Sequence, residues 1–113
     1  MEAFIIIVVA VLFLVWRMKP TKGVKTISAH ELKQQLNDSN KVYIDVRTPA
    51  EFKARNIKQF KNMPLGSDLS KLPKDKEIIV ICQSGMRSAQ ACKQLKKLGY
   101  EKVTNVRGGI GSY

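Results

Sequence analysis

Cys82 is the residue of this chain best placed for covalent chemistry. It follows Ile78-Ile79-Val80-Ile81, a short β-branched apolar run that reads as a buried strand. It precedes residues 88–98, where Ala91, Leu95 and Leu98 recur at helical spacing before Gly99. The segment Cys82-Gln83-Ser84-Gly85-Met86-Arg87 therefore joins the carboxyl end of a strand to a helix N-terminus, where open α/β sheets bind their ligands. Successive N–H groups in such a loop, backed by the helix dipole, suit an anion. The same field favours thiolate over thiol. The chemistry this predicts is nucleophilic attack by Cys82 from an anion cradle built on Gln83, Ser84, Gly85, Met86, Arg87 and Ser88.

The elements that must position this loop are legible in order. Residues 25–27 read as a short strand. Ser28-Ala29-His30-Glu31 is a capping box that opens a helix carrying Leu32 and Leu36, closed by residues 37–40. Residues 42–46 form a second strand, apolar on both faces as in a covered parallel sheet. Thr48-Pro49-Ala50-Glu51 is a second capping box, with Pro49 at the favoured first position of a short helix over 49–55. Residues 61–64 are a weak strand, 65–73 a loop with one helical turn, 77–81 the strongest strand and 103–106 the last. Strands alternating with helices predict an α/β fold with a central parallel sheet of about four to five strands.

Other residues invite blander readings. Arg47 and Glu51, four apart across a helix start, are expected to form a structural ion pair. Asp45 ends a strand on the sheet edge that carries Cys82, and either supports the loop or holds backbone. Cys92 falls on the packing face of the helix and reads as structural, with a resolving thiol as the alternative. His30 lies far from Cys82. Gly108-Gly109 serves a turn after the last strand. The chain stops four residues after Gly109, which predicts no further helix there.

Composition narrows the function classes. The 113 residues include 20 Lys and Arg against 9 Asp and Glu, for a net charge of +11. No aromatic interleaving or nucleic-acid motif accompanies this charge, so no nucleic-acid partner is expected. Two cysteines and one histidine cannot build the usual zinc sites, and no metal or cofactor is implied. Unpaired cysteines fit a reducing compartment. Residues 3–16 are an unbroken apolar run, followed by Arg17, Lys19, Lys22 and Lys25. The run lacks a basic n-region and a cleavage site, so it reads as a single-pass anchor with an interfacial Trp16 rather than a signal peptide. The positive flank puts the N-terminus outside and the domain in the cytoplasm, near anionic lipid. The expected organisation is an anchor helix over 1–19, a linker over 20–23 and one domain over 24–113.

Four landmarks then occur in order: residues 44–52 (Ile-Asp-Val-Arg-Thr-Pro-Ala-Glu-Phe), 62–65 (Asn-Met-Pro-Leu), 79–88 (Ile-Val-Ile-Cys-Gln-Ser-Gly-Met-Arg-Ser) and 106–110 (Val-Arg-Gly-Gly-Ile). In these the chain resembles the single-domain rhodaneses, a family of sulfurtransferases. The resemblance implies that Cys82 takes a sulfane sulfur from a thiosulfate-type donor as a persulfide and hands it to cyanide or a thiol. It also implies small sulfur-containing anions and thiols as partners, with an unidentified membrane or sulfur-relay protein at the tether. Asp45 and Arg47 are its candidate supporting residues. Four residues separate Cys82 from Arg87, whereas cysteine phosphatases use five, which favours sulfur over phosphate chemistry. A catalytically silent rhodanese-fold scaffold is the alternative, with a phosphatase-like enzyme behind it. The family's Gly-His-Ile-x-Gly-Ala stretch is here Arg55-Asn56-Ile57-Lys58-Gln59-Phe60, a departure that bears on acceptor preference.

Overall fold

The computed structural model describes residues 2–18 and 23–113. Helix α1 covers Glu2–Met18 and is followed by β1 (Val24–Ile27), α2 (Ala29–Gln35), β2 (Val42–Asp45), α3 (Pro49–Ala54) and β3 (Lys61–Asn62). A 3-10 turn at Leu69–Lys71 leads to β4 (Ile78–Ile81), α4 (Met86–Lys97), β5 (Val103–Val106) and α5 (Gly109–Ser112). The five strands form one parallel sheet in the order β1-β5-β4-β2-β3.

That order creates the crevice the site needs. From β2 the chain crosses by way of α3 to β3 at one edge, and from β4 it crosses by way of α4 to β5 in the opposite direction. The adjacent carboxyl ends of β2 and β4 are thus a topological switch point, where departing connections leave room for a ligand. Asp45 pairs with Ile81 in register, so Val46 comes beside Cys82 and Arg47 beside Gln83.

Strand β4 is fully buried on both faces, as its uninterrupted β-branched run requires. Alternation sends Ile78 and Val80 toward Ala91, Cys92 and Leu95 of α4. Ile79 and Ile81 go to the other face, against Leu32, Ile57 and Phe60. Cys82 continues the first series and joins the α4 side of the core.

Both capping boxes form. The Ser28 and Thr48 hydroxyls each accept the N–H of the glutamate three residues on, at 3.1 and 3.3 Å, and each glutamate accepts the N–H of its cap. The helix after Cys82 begins earlier than its apolar spacing predicts. Gly85 is the N-cap with φ of 103°, so Met86 joins Arg87 in the first helical turn. Its buried stripe is Ser88, Ala91, Cys92 and Leu95, while Leu98 is exposed. At the C-terminus a short helix, α5, stands where none is expected, because Gly108 and Gly109 turn the chain back under the cradle.

The single-pass anchor needs correcting. Among the described residues no helix is long and apolar enough to cross a membrane. Helix α1 has 17 residues, about 25 Å at 1.5 Å per residue, against a hydrocarbon core of about 30 Å. Glu2 and Arg17 shorten its apolar part further. The span, and the orientation argued from it, lose their structural basis. Of the expected linker, residues 20–22 lie outside the described residues.

Candidate active site

The site is assembled by three elements around one sulfur. Cys82 Sγ accepts the N–H of Gly85 at 2.9 Å and lies 3.2 Å from Ser88 Oγ, on the first turns of α4. Burial alone pushes the Cys82 thiol up. The Ser88 hydroxyl, with the N–H groups of Ser88, Gly85 and Ser84, outweighs this and holds the thiol below its ordinary value. The groups nearest the sulfur are thus the Gly85 N–H and the Ser88 hydroxyl, at the start of α4. Cys82 is fully buried beneath a loop whose Gln83, Ser84 and Met86 face solvent.

The loop holds this shape because its carbonyls are taken from below. The N–H groups of Ile110 and Gly111 donate to the carbonyls of Cys82 and Gln83 at 2.8 and 3.0 Å. With those carbonyls turned down toward α5, the next N–H groups turn up toward Sγ. The approach is close enough that a Cβ at Gly109 would overlap the Cys82 carbonyl, and its φ of 58° already favours glycine. Gly85 is seated against the backbone N of Gly108, 3.4 Å from where its Cβ would stand.

The ion pair expected between Arg47 and Glu51 does not form. Arg47 does not pair with Glu51. It is buried with Asp45, donating Nη2 at 2.9 Å and Nε at 3.1 Å to the carboxylate, which also accepts the Arg47 N–H. Its remaining donors reach the Arg55 carbonyl at 2.5 Å and Gln83 Oε1 at 3.4 Å. Arg47 thus clamps the tip of β2 to the cradle loop, and Asp45 touches the loop only through it. Glu51 pairs instead with Arg87, two parallel bonds of 2.7 and 2.9 Å across the crevice. Arg87 and the Thr48 cap together hold the Glu51 carboxyl down to about 2. Arg87 therefore sits beside the cradle with its guanidinium engaged by α3, partly open to solvent.

One residue of the site has no counterpart in the sequence reading. Asn105, on β5, accepts the Ser88 hydroxyl proton at Oδ1 over 2.6 Å and donates Nδ2 to the Gly85 carbonyl at 3.3 Å. A signal existed: asparagine is disfavoured within strands, and here it interrupts Val103-Thr104-x-Val106. Cys92 lies in the same core cluster as Cys82 but behind it, its thiol pushed up to about 12 by burial and by the Cys82 charge. Among the described residues no group of acidic, histidine and cysteine side chains is arranged to hold a metal ion.

Known proteins are similar to this chain in sequence and fold. A sulfurtransferase of Allochromatium vinosum is 40% identical over 91 residues, covering 77% of this chain and 85% of that protein. The putative sulfurtransferase YtwF of Bacillus subtilis is 38% identical over 91 residues, covering 77% and 87%. The crystal structure of a rhodanese-like domain protein from Staphylococcus aureus superposes with a TM-score of 0.70 at 33% identity, over 78% of this chain and 89% of that one. The model of the rhodanese-like domain matches residues 28–113, from the first capping box through the cradle to the C-terminal glycines, and the chain belongs to that family.

Proposed function

We propose that residues 24–113 form a sulfurtransferase in which Cys82 is the nucleophile and carries the transferred sulfur. The observation that carries this reading is the seat of the Cys82 sulfur at the start of α4, where it accepts the Gly85 N–H at 2.9 Å and lies 3.2 Å from the Ser88 hydroxyl oxygen. That donor set is what a thiolate or the terminal sulfur of a persulfide needs, since either is an anion in a site closed to water. In the first half-reaction the thiolate attacks the sulfane sulfur of thiosulfate. The Sγ–S bond forms as the sulfur–sulfur bond of the donor breaks, and sulfite leaves with the electron pair. In the second, cyanide or a thiolate takes the outer sulfur and Cys82 regains its thiolate. No net oxidant is required.

Arg87, beside the cradle, adds positive charge toward the incoming and departing anions without entering the loop. The short loop supports sulfur over phosphate chemistry, because four residues give a tighter ring of donors than five. Arg55 and Lys58, exposed at the segment that departs from the family pattern, add to an anion-attracting rim. One observation favours the second reading, a binding module that no longer turns over: Cys82 is fully buried, so a donor reaches it only if the loop yields.

Intact mass after incubation with thiosulfate separates the two. The transferase gains one sulfur, about 32 Da, which cyanide removes and which Cys82→Ser never acquires. Absence of any adduct with thiosulfate or another sulfane donor establishes the binding module instead.

A further inference from the structure

Cys82 and three groups around it, Gly85, Ser88 and Asn105, form a closed circuit of hydrogen bonds. The Gly85 N–H donates to Cys82 Sγ at 2.9 Å, and Sγ lies 3.2 Å from Ser88 Oγ. The Ser88 hydroxyl donates to Asn105 Oδ1 at 2.6 Å, and Asn105 Nδ2 returns to the Gly85 carbonyl at 3.3 Å. A hydroxyl has one proton. While Ser88 spends it on Asn105, the thiol must be the donor between Sγ and Oγ, and Cys82 stays protonated. For the thiolate to receive the Ser88 proton, the 2.6 Å bond to Asn105 must break, leaving Oδ1 without that donor.

We propose that Asn105 is a positioning residue for the nucleophile: its carboxamide holds the Ser88 hydroxyl proton away from Cys82 and braces Gly85, so that it governs when the sulfur becomes an anion. The role deepens the sulfurtransferase reading and rests on it for its purpose, because the thiolate is the form that attacks a sulfane sulfur. The geometry itself needs only the circuit.

Few other charges intervene. Arg87 and Cys92 on α4, the Asp45–Arg47 pair at the end of β2 and Glu51 on α3 are the titratable or charged groups around the cradle. Glu51 is held down to about 2 and Cys92 is pushed up to about 12, so neither changes state while Cys82 titrates.

The test is the pH profile of Cys82 alkylation by iodoacetamide in the full chain, followed at the Cys82 peptide by mass spectrometry. In Asn105→Leu the Ser88 hydroxyl loses its Oδ1 acceptor, and Sγ is the partner that remains of the two it has here. The midpoint of the profile is expected to fall by about half to one pH unit, the worth of one modest hydrogen bond. In a Ser88→Ala background the same substitution is expected to leave the midpoint where it is. No shift, an upward shift, or an equal fall in the Ser88→Ala background overturns the proposal. Alkylation of Cys92 marks a variant that has lost its core. Asn105→Asp then decides: its carboxylate grips the hydroxyl harder, and the midpoint must rise in the Ser88 protein by more than in Ser88→Ala. Alkylation needs no sulfur donor, so the result stands apart from loading with thiosulfate. A chain that shows the shifts but never gains sulfur keeps Asn105 and loses the transferase.

Discussion

Cys82 and Cys92 are both fully buried and both belong to one hydrophobic cluster, yet their thiols are displaced in opposite directions. Burial acts alike on each, opposing the anion. The difference lies in the donors. Cys92 sits on the inner face of α4, where helical N–H groups are already spent on carbonyls, and its thiol is pushed up to about 12. Cys82 sits one residue past β4, where the N–H groups of a helix start have no intrahelical partner. Unspent backbone donors can lower a buried thiol that burial alone would raise.

The sharpest way to break this contrast is to delete each sulfur. Cys82→Ser is expected to abolish sulfur loading entirely, read as the missing mass gain with thiosulfate. Cys92→Ala is expected to load normally and to lose about 1–2 kcal/mol in urea unfolding, the worth of a small core cavity. Loading lost in both would make Cys92 a working thiol. Next in size is Gly109→Ala. The added methyl overlaps the Cys82 carbonyl, so the loop must move off α5. Loading is expected to slow at least about tenfold, with a stability loss of about 1–3 kcal/mol from overpacking and a positive φ. Normal loading in that variant would show that the carbonyl anchors do not shape the cradle.

Smaller again is Ser88→Ala, which removes the hydroxyl that can turn from Asn105 to the Cys82 thiolate. Its alkylation midpoint is expected to rise by about one pH unit, with Cys92 still silent. An unchanged midpoint would leave the backbone N–H groups as the whole cause. The smallest effect is a linkage. The folded chain keeps the Cys92 proton up to about 12, whereas an unfolded thiol releases it near about 8.5. The stability this raised value contributes is fully present below pH 8.5 and is lost as pH rises from there toward 12. Thermal melts of the parent should therefore fall more steeply across about pH 8.5–10.5 than those of Cys92→Ala. Parallel curves would mean the thiol is less enclosed than its place in the core implies.

Much of the site was readable because its signals are local. The run Ile78–Ile81, the glycine three residues past the cysteine and the two capping boxes each depend on neighbours within about one helical turn. Such patterns put Cys82 at a strand tip under a helix start without knowledge of the remaining fold. The errors follow the same logic. Glu51 was matched to Arg47 because it lies four residues away, but its partner Arg87 lies 36 residues away across the crevice. Residues 3–16 read as a span because apolar character is local, and among the described residues no helix is long and apolar enough to cross a membrane.

By itself, then, the chain's order of residues determined the α/β class, the cysteine with its ring of donors and the family landmarks, all matters of period and nearest-neighbour hydrogen bonding. Only the tertiary structure decided which carboxylate meets which guanidinium, that α5 holds the loop's carbonyls, and that Asn105, 17 residues beyond Ser88, takes its hydroxyl proton. Those contacts exist because the strand order brings β2, β4 and β5 together, and no local pattern encodes which strands become neighbours.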